Sequence, residues 1–370
     1  MFNLSTHPLL LRGLSVVAMA RAFLRYRNPR RRAIGRHHTA FYERVWREAA
    51  AELGATCRAL GSGIVEIELD GVRTRAIENT CAIDDPATLL VLADKTVTYQ
   101  MMEEEGLPTP RHVSFSLGDV RPAVAFIETC KGDCVIKPAR GTGGGRGVTT
   151  GIRTRWQLAR AAALAAVYGD EILIEEQVAG DNYRLLYLDG ELMDAFVRKG
   201  PAVVGDGRSS VAKLVKAVNE DRSRHGAARS QVLLTTDFDM RRTLAKQGLS
   251  LGSVPAVGQT VILKTVVNEN GGADNSTAMQ SLCPSIVADG ARAVRALGVR
   301  LAGVDIITRD PSAPLTETGG VILEVNAPPN YYYHYQKADG AFPVALHVLR
   351  RLLVEHGAKD HSFNPTGALA

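Results

Sequence analysis

At 370 residues, 45% of them hydrophobic, the chain can bury a sizeable core divided over two or three lobes, and its 22% charged residues are those of an ordinary globular protein. No apolar run reaches the roughly 18 residues that a membrane helix needs, which predicts a soluble protein. The formal net charge of +5 is unevenly placed. Residues 1–40 hold eight arginines, Arg12 to Arg36, and no Asp or Glu, which leaves −3 for residues 41–370. The basic character therefore belongs to an N-terminal extension, either a solvated tail or an arm for nucleic acid or an anionic membrane surface. Within it, LLLRGLSVVAMARA is broken by Arg12 and its charges follow the apolar part, so no export signal is expected. Cys57, Cys81, Cys130, Cys134 and Cys283 form no CxxC, and no His stands at metal-ligand spacing beside them. Reduced, buried thiols and a cytoplasmic location follow.

In chain order, AFYERVWREAAAELGA places Phe41, Val45, Ala49 and Leu53 at helical spacing and stops at Gly54. GIVEIELDGVRTRAI alternates apolar and charged residues about Asp70-Gly71 and predicts a β-hairpin. A helix is expected from Asp94 to Gly106, with Pro108 and Pro110 beyond it. VSFSL and DCVIK predict strands on either side of the helix PAVAFIETC. TRWQLARAAALAAVYG is an amphipathic helix, and EILIEEQVAG a strand that runs into a turn. Near the C-terminus, the helix PSIVADGARAVRALG precedes two strands, LAGVDIITRD and GGVILEVNAP. The mixture of helices and hairpins predicts an α+β (α/β) protein, not a strict doubly wound sheet.

Two constellations carry chemistry. After the strand that ends in Lys137, five glycines occupy the seven positions Gly141 to Gly147: Gly141, Gly143, Gly144, Gly145 and Gly147. Such a loop lets backbone N–H groups approach phosphate oxygens that a Cβ would hold away. It is neither of two familiar phosphate loops, because no Lys-Ser/Thr pair follows and Arg146 stands where a dinucleotide fingerprint needs glycine. Lys137 would supply a point charge beneath the closing loop. The second constellation is Asp305, Glu324 and Asn326, three oxygen donors in otherwise apolar strands. Strand alternation sets Glu324 and Asn326 on one face, and a hairpin would bring Asp305 to it. Hard oxygen ligands without His or Cys suit Mg²⁺ completed by water and phosphate.

Lys95, Lys137 with its glycine loop, ILIEEQV and GVD…LEVN stand in the order of the ATP-grasp carboxylate–amine ligases, which the chain resembles from about residue 90 to 345. It is most similar to the ATP-grasp portion of cyanophycin synthetase and related amino-acid and peptide ligases, through DNYRLLYLDGELMDAFVRKGPAVVGDGRSSVAKLVKAVN and LAKQGLSLGSVPAVGQTVIL. The resemblance implies an ATP-grasp fold with ATP between two α+β lobes. Expected boundaries are a basic extension at 1–40, a small N-terminal α/β domain at 41–92, a central lobe at 93–174, a C-terminal lobe at 175–355 and a tail at 356–370.

It further implies ATP and one or two Mg²⁺ ions, with Mn²⁺ as an alternative. Lys95 and Lys137 would contact phosphates, Glu175, Glu176, Gln177 and Val178 would form the adenine hinge, and Asp305, Glu324 and Asn326 would hold metal. Arg184 and Arg198, with Lys199 a further candidate, would face the transferred phosphate and the substrate carboxylate. His334, in the aromatic run NYYYHY after the metal strand, would stand near the reacting group or merely pack the lobe edge.

The family's ribose-binding acid is replaced by Asn182, so Asp181 is the expected substitute. The family's Pro-Gly after the metal strand is Pro329-Asn330, with Asn330 expected to take positive φ. The implied activity is ADP-forming ligation of a small-molecule carboxylate to an amine, of amino acids or small peptides, with no membrane partner. A ligase using a thiol or another nucleophile stands as a variant. A non-catalytic nucleotide binder with a nucleic-acid arm is the different-class alternative, though nucleic acid is not the expected partner. Homo-oligomerisation stays open.

Overall fold

A computed structural model describes residues 29–141, 145–225, 230 and 232–357, together with Val16. The basic arm up to residue 28, Gly143, Gly144 and the tail from 358 lie outside them. The first helix spans Pro29–Glu52, twelve residues earlier than the apolar spacing predicts. Pro29 suits a first helical position, where its missing N–H has no helical partner to lose, and Ile34 is already buried. The expected extension therefore gives up residues 29–40 to a packed helix.

Four strands follow: β1 (Thr56–Gly61), β2 (Ile64–Leu69), β3 (Val72–Ile77) and β4 (Thr80–Cys81). They form an antiparallel sheet in that order, with β2 and β3 joined through Asp70-Gly71 as the alternation predicts. Their buried residues Val65, Ile67 and Ala76 meet Phe41, Tyr42 and Trp46 of the first helix. The same core includes Tyr331, Tyr332 and the C-terminal helix Val344–Glu355. Leu186, Leu188 and Phe196 of the large sheet belong to it too, so the expected N-terminal unit at 41–92 shares one core with the C-terminal lobe.

The helix Lys95–Glu104 begins at an Asp94 cap that accepts from Thr96 and Val97 N–H groups. A second antiparallel sheet runs β5 (His112–Phe115), β8 (Ile172–Glu176), β6 (Cys134–Pro138) and β7 (Thr149–Ile152). The helices Arg121–Thr129 and Arg155–Ala165 cover it. Gln177 to Gly180 then cross to the third sheet, in the order β13 (Asn275–Thr277), β10 (Glu191–Arg198), β9 (Asp181–Leu188), β14 (Leu301–Thr308), β15 (Val321–Asn326). Its other face packs on helix Pro284–Ala296 and on Tyr99 and Met102 of the helix that starts at Lys95.

Between β10 and β13 an insertion forms a core of its own. The hairpin β11 (Ala202–Val204) and β12 (Thr260–Ile262) packs with helices Val211–His225 and Phe238–Lys246. Asp206 in GDG accepts from the N–H groups of Arg208 and Ser209, at 3.0 and 2.7 Å, which supports reading that motif as a turn. Among the described residues no helix is long and apolar enough to cross a membrane.

Candidate active site

The site is assembled where the end of the second sheet meets one face of the third. Lys137 lies near the end of β6, buried with Glu175 of β8; their charged atoms are 2.7 Å apart. Tyr99 completes this group. Its hydroxyl is 2.9 Å from both Lys137 Nζ and Glu175 Oε2, and 2.8 Å from the carbonyl oxygen of Leu323 on β15. Lys95, one turn before Tyr99 on the same helix face, is also buried and holds Glu324 Oε1 at 2.9 Å. Burial alone would raise the Glu324 carboxyl pKa, but Lys95, Lys137 and Arg184 together hold it below the usual range.

The glycine loop is rooted beside these lysines. Lys95 N donates to the Ala139 carbonyl at 3.0 Å, and Arg140 Nε reaches Asp94 Oδ2 at 2.7 Å. Gly141, Gly145 and Gly147 all take positive φ, near +70°, where a side chain would strain the backbone.

Against these lysines, β9, β14 and β15 set the polar face. Asp305 pairs directly with Glu324 on one side and with Arg184 on the other, while Asn326 lies opposite Gly303. A bulge after Asp305 leaves Leu323 as the extra residue, and Asp305, Glu324 and Asn326 face the same way. Arg184 grips Asp305 with a fork of 2.5 and 2.8 Å, and Asn326 Nδ2 donates to Asp305 Oδ2 at 3.1 Å. The guanidinium lies over Gly303, where a Cβ would stand 2.6 Å from Arg184 Nη1. Arg198 Nη1 is 3.8 Å from Asp305 Oδ2 and its guanidinium lies over the Tyr333 ring. Burial and the neighbouring Arg184 lower the Arg198 pKa, opposed by Asp305.

Two carboxylates and an amide make a hard-oxygen donor set. Among the described residues no cluster of three or more His, Cys, Asp or Glu side chains could hold a metal by itself. The donor chemistry of the set suits a hard cation that takes its remaining ligands from phosphate and water, with Arg184 and Lys95 now supplying the counter-charge.

The remaining expected residues fall unevenly. Glu175, the expected start of the hinge, is an interior ion-pair partner of Lys137. Glu176 pairs with Arg111 at 3.5 Å, Gln177 Oε1 accepts from Gly151 N at 2.8 Å, and Val178 is half-buried in the crossing segment. Asp181 is exposed and lies beside Tyr183, whose pKa it helps to raise, while alternation puts Asn182 on the face of Arg184. Asp181 therefore lies on the face of β9 opposite Arg184. Lys199 is exposed beside buried Arg198.

His334 is the clear correction. It is fully buried, with Nδ1 held 2.7 Å from Asp194 Oδ2, while Lys337 Nζ reaches Asp194 Oδ1 at 2.6 Å. The ring packs edge-on against Phe196, with centroids 4.8 Å apart, so the structure places it in the core and not on an open face. Neither do the tyrosines keep wet hydroxyls, since Tyr331 and Tyr332 belong to the core against the first helix. Asn330 does not take positive φ; its Oδ1 accepts from Tyr42 OH at 3.1 Å and Tyr332 N at 2.9 Å.

With this geometry in view, the structure is similar to that of a bifunctional glutathione synthetase from Pasteurella multocida, with a TM-score of 0.54 at 24% identity over 84% of this chain and 43% of that one. The chain has the ATP-grasp fold. No protein-family model matches the sequence. A cyanophycin synthetase of Nostoc sp. is 34% identical over 251 residues, 67% of this chain and 27% of that protein. The glutathione biosynthesis bifunctional protein of Mannheimia succiniciproducens is 28% identical over 285 residues, 75% of this chain and 37% of that one. This ATP-grasp chain thus spans about a quarter to over a third of the length of these curated relatives.

Proposed function

We propose that the chain is an ATP- and Mg²⁺-dependent, ADP-forming ligase that joins the carboxylate of an amino acid or small peptide to an amine. The observation that carries this reading is the convergence of two buried lysines, a glycine loop and the Asp305–Glu324–Asn326 face on one cleft. The named relatives, a cyanophycin synthetase and a glutathione biosynthesis protein, support the substrate class.

When bound, ATP supplies the phosphoryl group that makes a poor carboxylate electrophile into an acyl phosphate, and one or two Mg²⁺ ions supply charge. The protein's part is alignment and neutralisation. Lys95 and Lys137 stand to hold phosphate oxygens, and Asp305, Glu324 and Asn326 to hold the cation. Arg184 and Arg198 stand to face the transferred group and the reacting carboxylate. Closure of Gly141–Gly147 would exclude water from the intermediate.

A screen of ADP release over amino acids and dipeptides, with hydroxylamine as trap, tests the reading. The expected result is substrate-dependent ADP together with a hydroxamate of the activated acid. ADP release that never depends on an added carboxylate would contradict it.

A further inference from the structure

The Tyr99 hydroxyl has more partners than it has protons. It lies 2.9 Å from Lys137 Nζ, 2.9 Å from Glu175 Oε2 and 2.8 Å from the carbonyl oxygen of Leu323. An ammonium only donates, so Lys137 donates to the phenol oxygen. A carboxylate and a carbonyl only accept, so the single phenol proton serves one of two acceptors. Burial and the Glu175 carboxylate push the phenol pKa well up, which keeps that proton on the oxygen. The ring itself is fixed. It shares a core with Met102 and Leu173 and lies tilted against His112, with centroids 4.6 Å apart.

Which acceptor holds the proton depends on Lys137. Its Nζ is 2.7 Å from the same Glu175 oxygen, so the carboxylate already has a charged donor. The phenol proton can then rest on the carbonyl of Leu323, the bulge residue beside Glu324. A nucleotide phosphate competes for that ammonium. Once Lys137 Nζ shifts towards phosphate, Glu175, nearly sealed from water, is left with its charge unanswered. A buried carboxylate stripped of its donor costs more than a neutral carbonyl on half-buried Leu323. Rotation about the phenol C–O bond turns the proton from one acceptor to the other without moving the ring.

We propose that Tyr99 is a positioning residue for Lys137: its hydroxyl takes over the Glu175 carboxylate as the ammonium moves onto a nucleotide phosphate, which lowers the cost of that move. This rests on the ligase reading above and adds a residue to the same site. Tyr99 acts through Lys137 and not on the nucleotide directly. Its ring belongs to the packed core and the hydroxyl alone makes the exchange, so Tyr99→Phe isolates the effect.

The test measures affinity for a non-hydrolysable ATP analogue with Mg²⁺ by calorimetry, in the unaltered chain, Tyr99→Phe, Glu175→Gln and the double variant. Tyr99→Phe should bind the analogue about tenfold more weakly, as loss of one hydrogen bond to a charged group allows, while its thermal midpoint shows a folded chain. Glutamine carries no charge to leave unanswered. In the Glu175→Gln background the same tyrosine change should therefore alter affinity by less than about twofold. A hydroxyl that only braced the core would shift affinity equally in both backgrounds, and that result overturns the proposal. So does a Tyr99→Phe affinity within about twofold of the unaltered chain. If Tyr99→Phe does not fold, the two chains carrying Glu175→Gln still decide, and a loss above about twofold between them overturns the proposal. Absence of analogue binding in the unaltered chain would overturn the ligase reading with it, whereas analogue binding without coupling between Tyr99 and Glu175 overturns this inference alone.

Discussion

Lys137→Ala is expected to lose ADP formation by roughly 100- to 1,000-fold, the scale on which removing one preorganised charge contact from a transition state acts. It is also expected to lose stability. Lys137 and Glu175 are both almost sealed from water, at 6% and 3% side-chain exposure. The alanine would leave a buried carboxylate whose remaining side-chain hydrogen bond, among the described residues, is to the Tyr99 hydroxyl, which costs about 3–5 kcal/mol. The two effects separate in the paired variant Lys137→Met with Glu175→Gln. Exchanging a whole buried ion pair for neutral groups of similar volume is often close to neutral. That variant should recover most of the denaturation midpoint and none of the turnover. Turnover within tenfold of the unaltered chain in either variant would show that Lys137 braces the fold and does not hold phosphate.

Asp194→Ala should be the most destabilising single change outside the proposed ligand-holding residues, by about 3–5 kcal/mol in urea unfolding at neutral pH. Asp194 is buried on β10 and carries both His334 and Lys337, each itself buried. Without it, buried Lys337 is left without its counter-charge and His334 Nδ1 without its hydrogen-bond partner. The pH dependence has a definite sign. Burial opposes the Asp194 carboxylate, but His334 and Lys337 hold its pKa below the ordinary range. Its contribution is therefore present above the unfolded value of about 3.9 and is lost as pH falls through the depressed folded value. Burial likewise lowers the His334 pKa. Below about 6.5 the unfolded chain takes a proton that the folded ring resists, so stability declines further on acidification. The unaltered chain should thus weaken progressively from about pH 6.5 downward, and the carboxylate's share of that slope should vanish in Asp194→Ala. A loss of under 1 kcal/mol in the variant would show that the triad is not holding the core.

Much of this arrangement was legible locally. Alternation along VILEVN put Glu324 and Asn326 on one face, and the apolar run before Lys137 gave a buried strand. These features depend on neighbours in sequence, which is where periodicity is informative. What escaped depends on packing between distant segments. Tyr99 bridges Lys137, Glu175 and Leu323 from three separate elements. Its place four residues after Lys95 was a usable signal, since positions i and i+4 share a helix face. His334 looked reactive because it stands just beyond the metal strand. It is buried because Tyr331 and Tyr332 are drawn into the aromatic core with Phe41, Tyr42 and Trp46, nearly 300 residues away along the chain. The start of the first helix was missed because arginines mask its apolar face, leaving Ile34 as the one clear marker.

We infer that Lys95 and Lys137 grip a nucleotide's phosphates against the face of Asp305, Glu324 and Asn326, which holds magnesium. The most direct test is the ATP dissociation constant measured with Mg²⁺ and with EDTA, at constant ionic strength, for the unaltered chain and for Asp305→Asn. Tighter ATP binding in Mg²⁺, with apparent Mg²⁺ affinity weakened roughly 10- to 100-fold in the variant, is the predicted result. ATP binding indifferent to Mg²⁺, or a Mg²⁺ response untouched by Asp305→Asn, would contradict it.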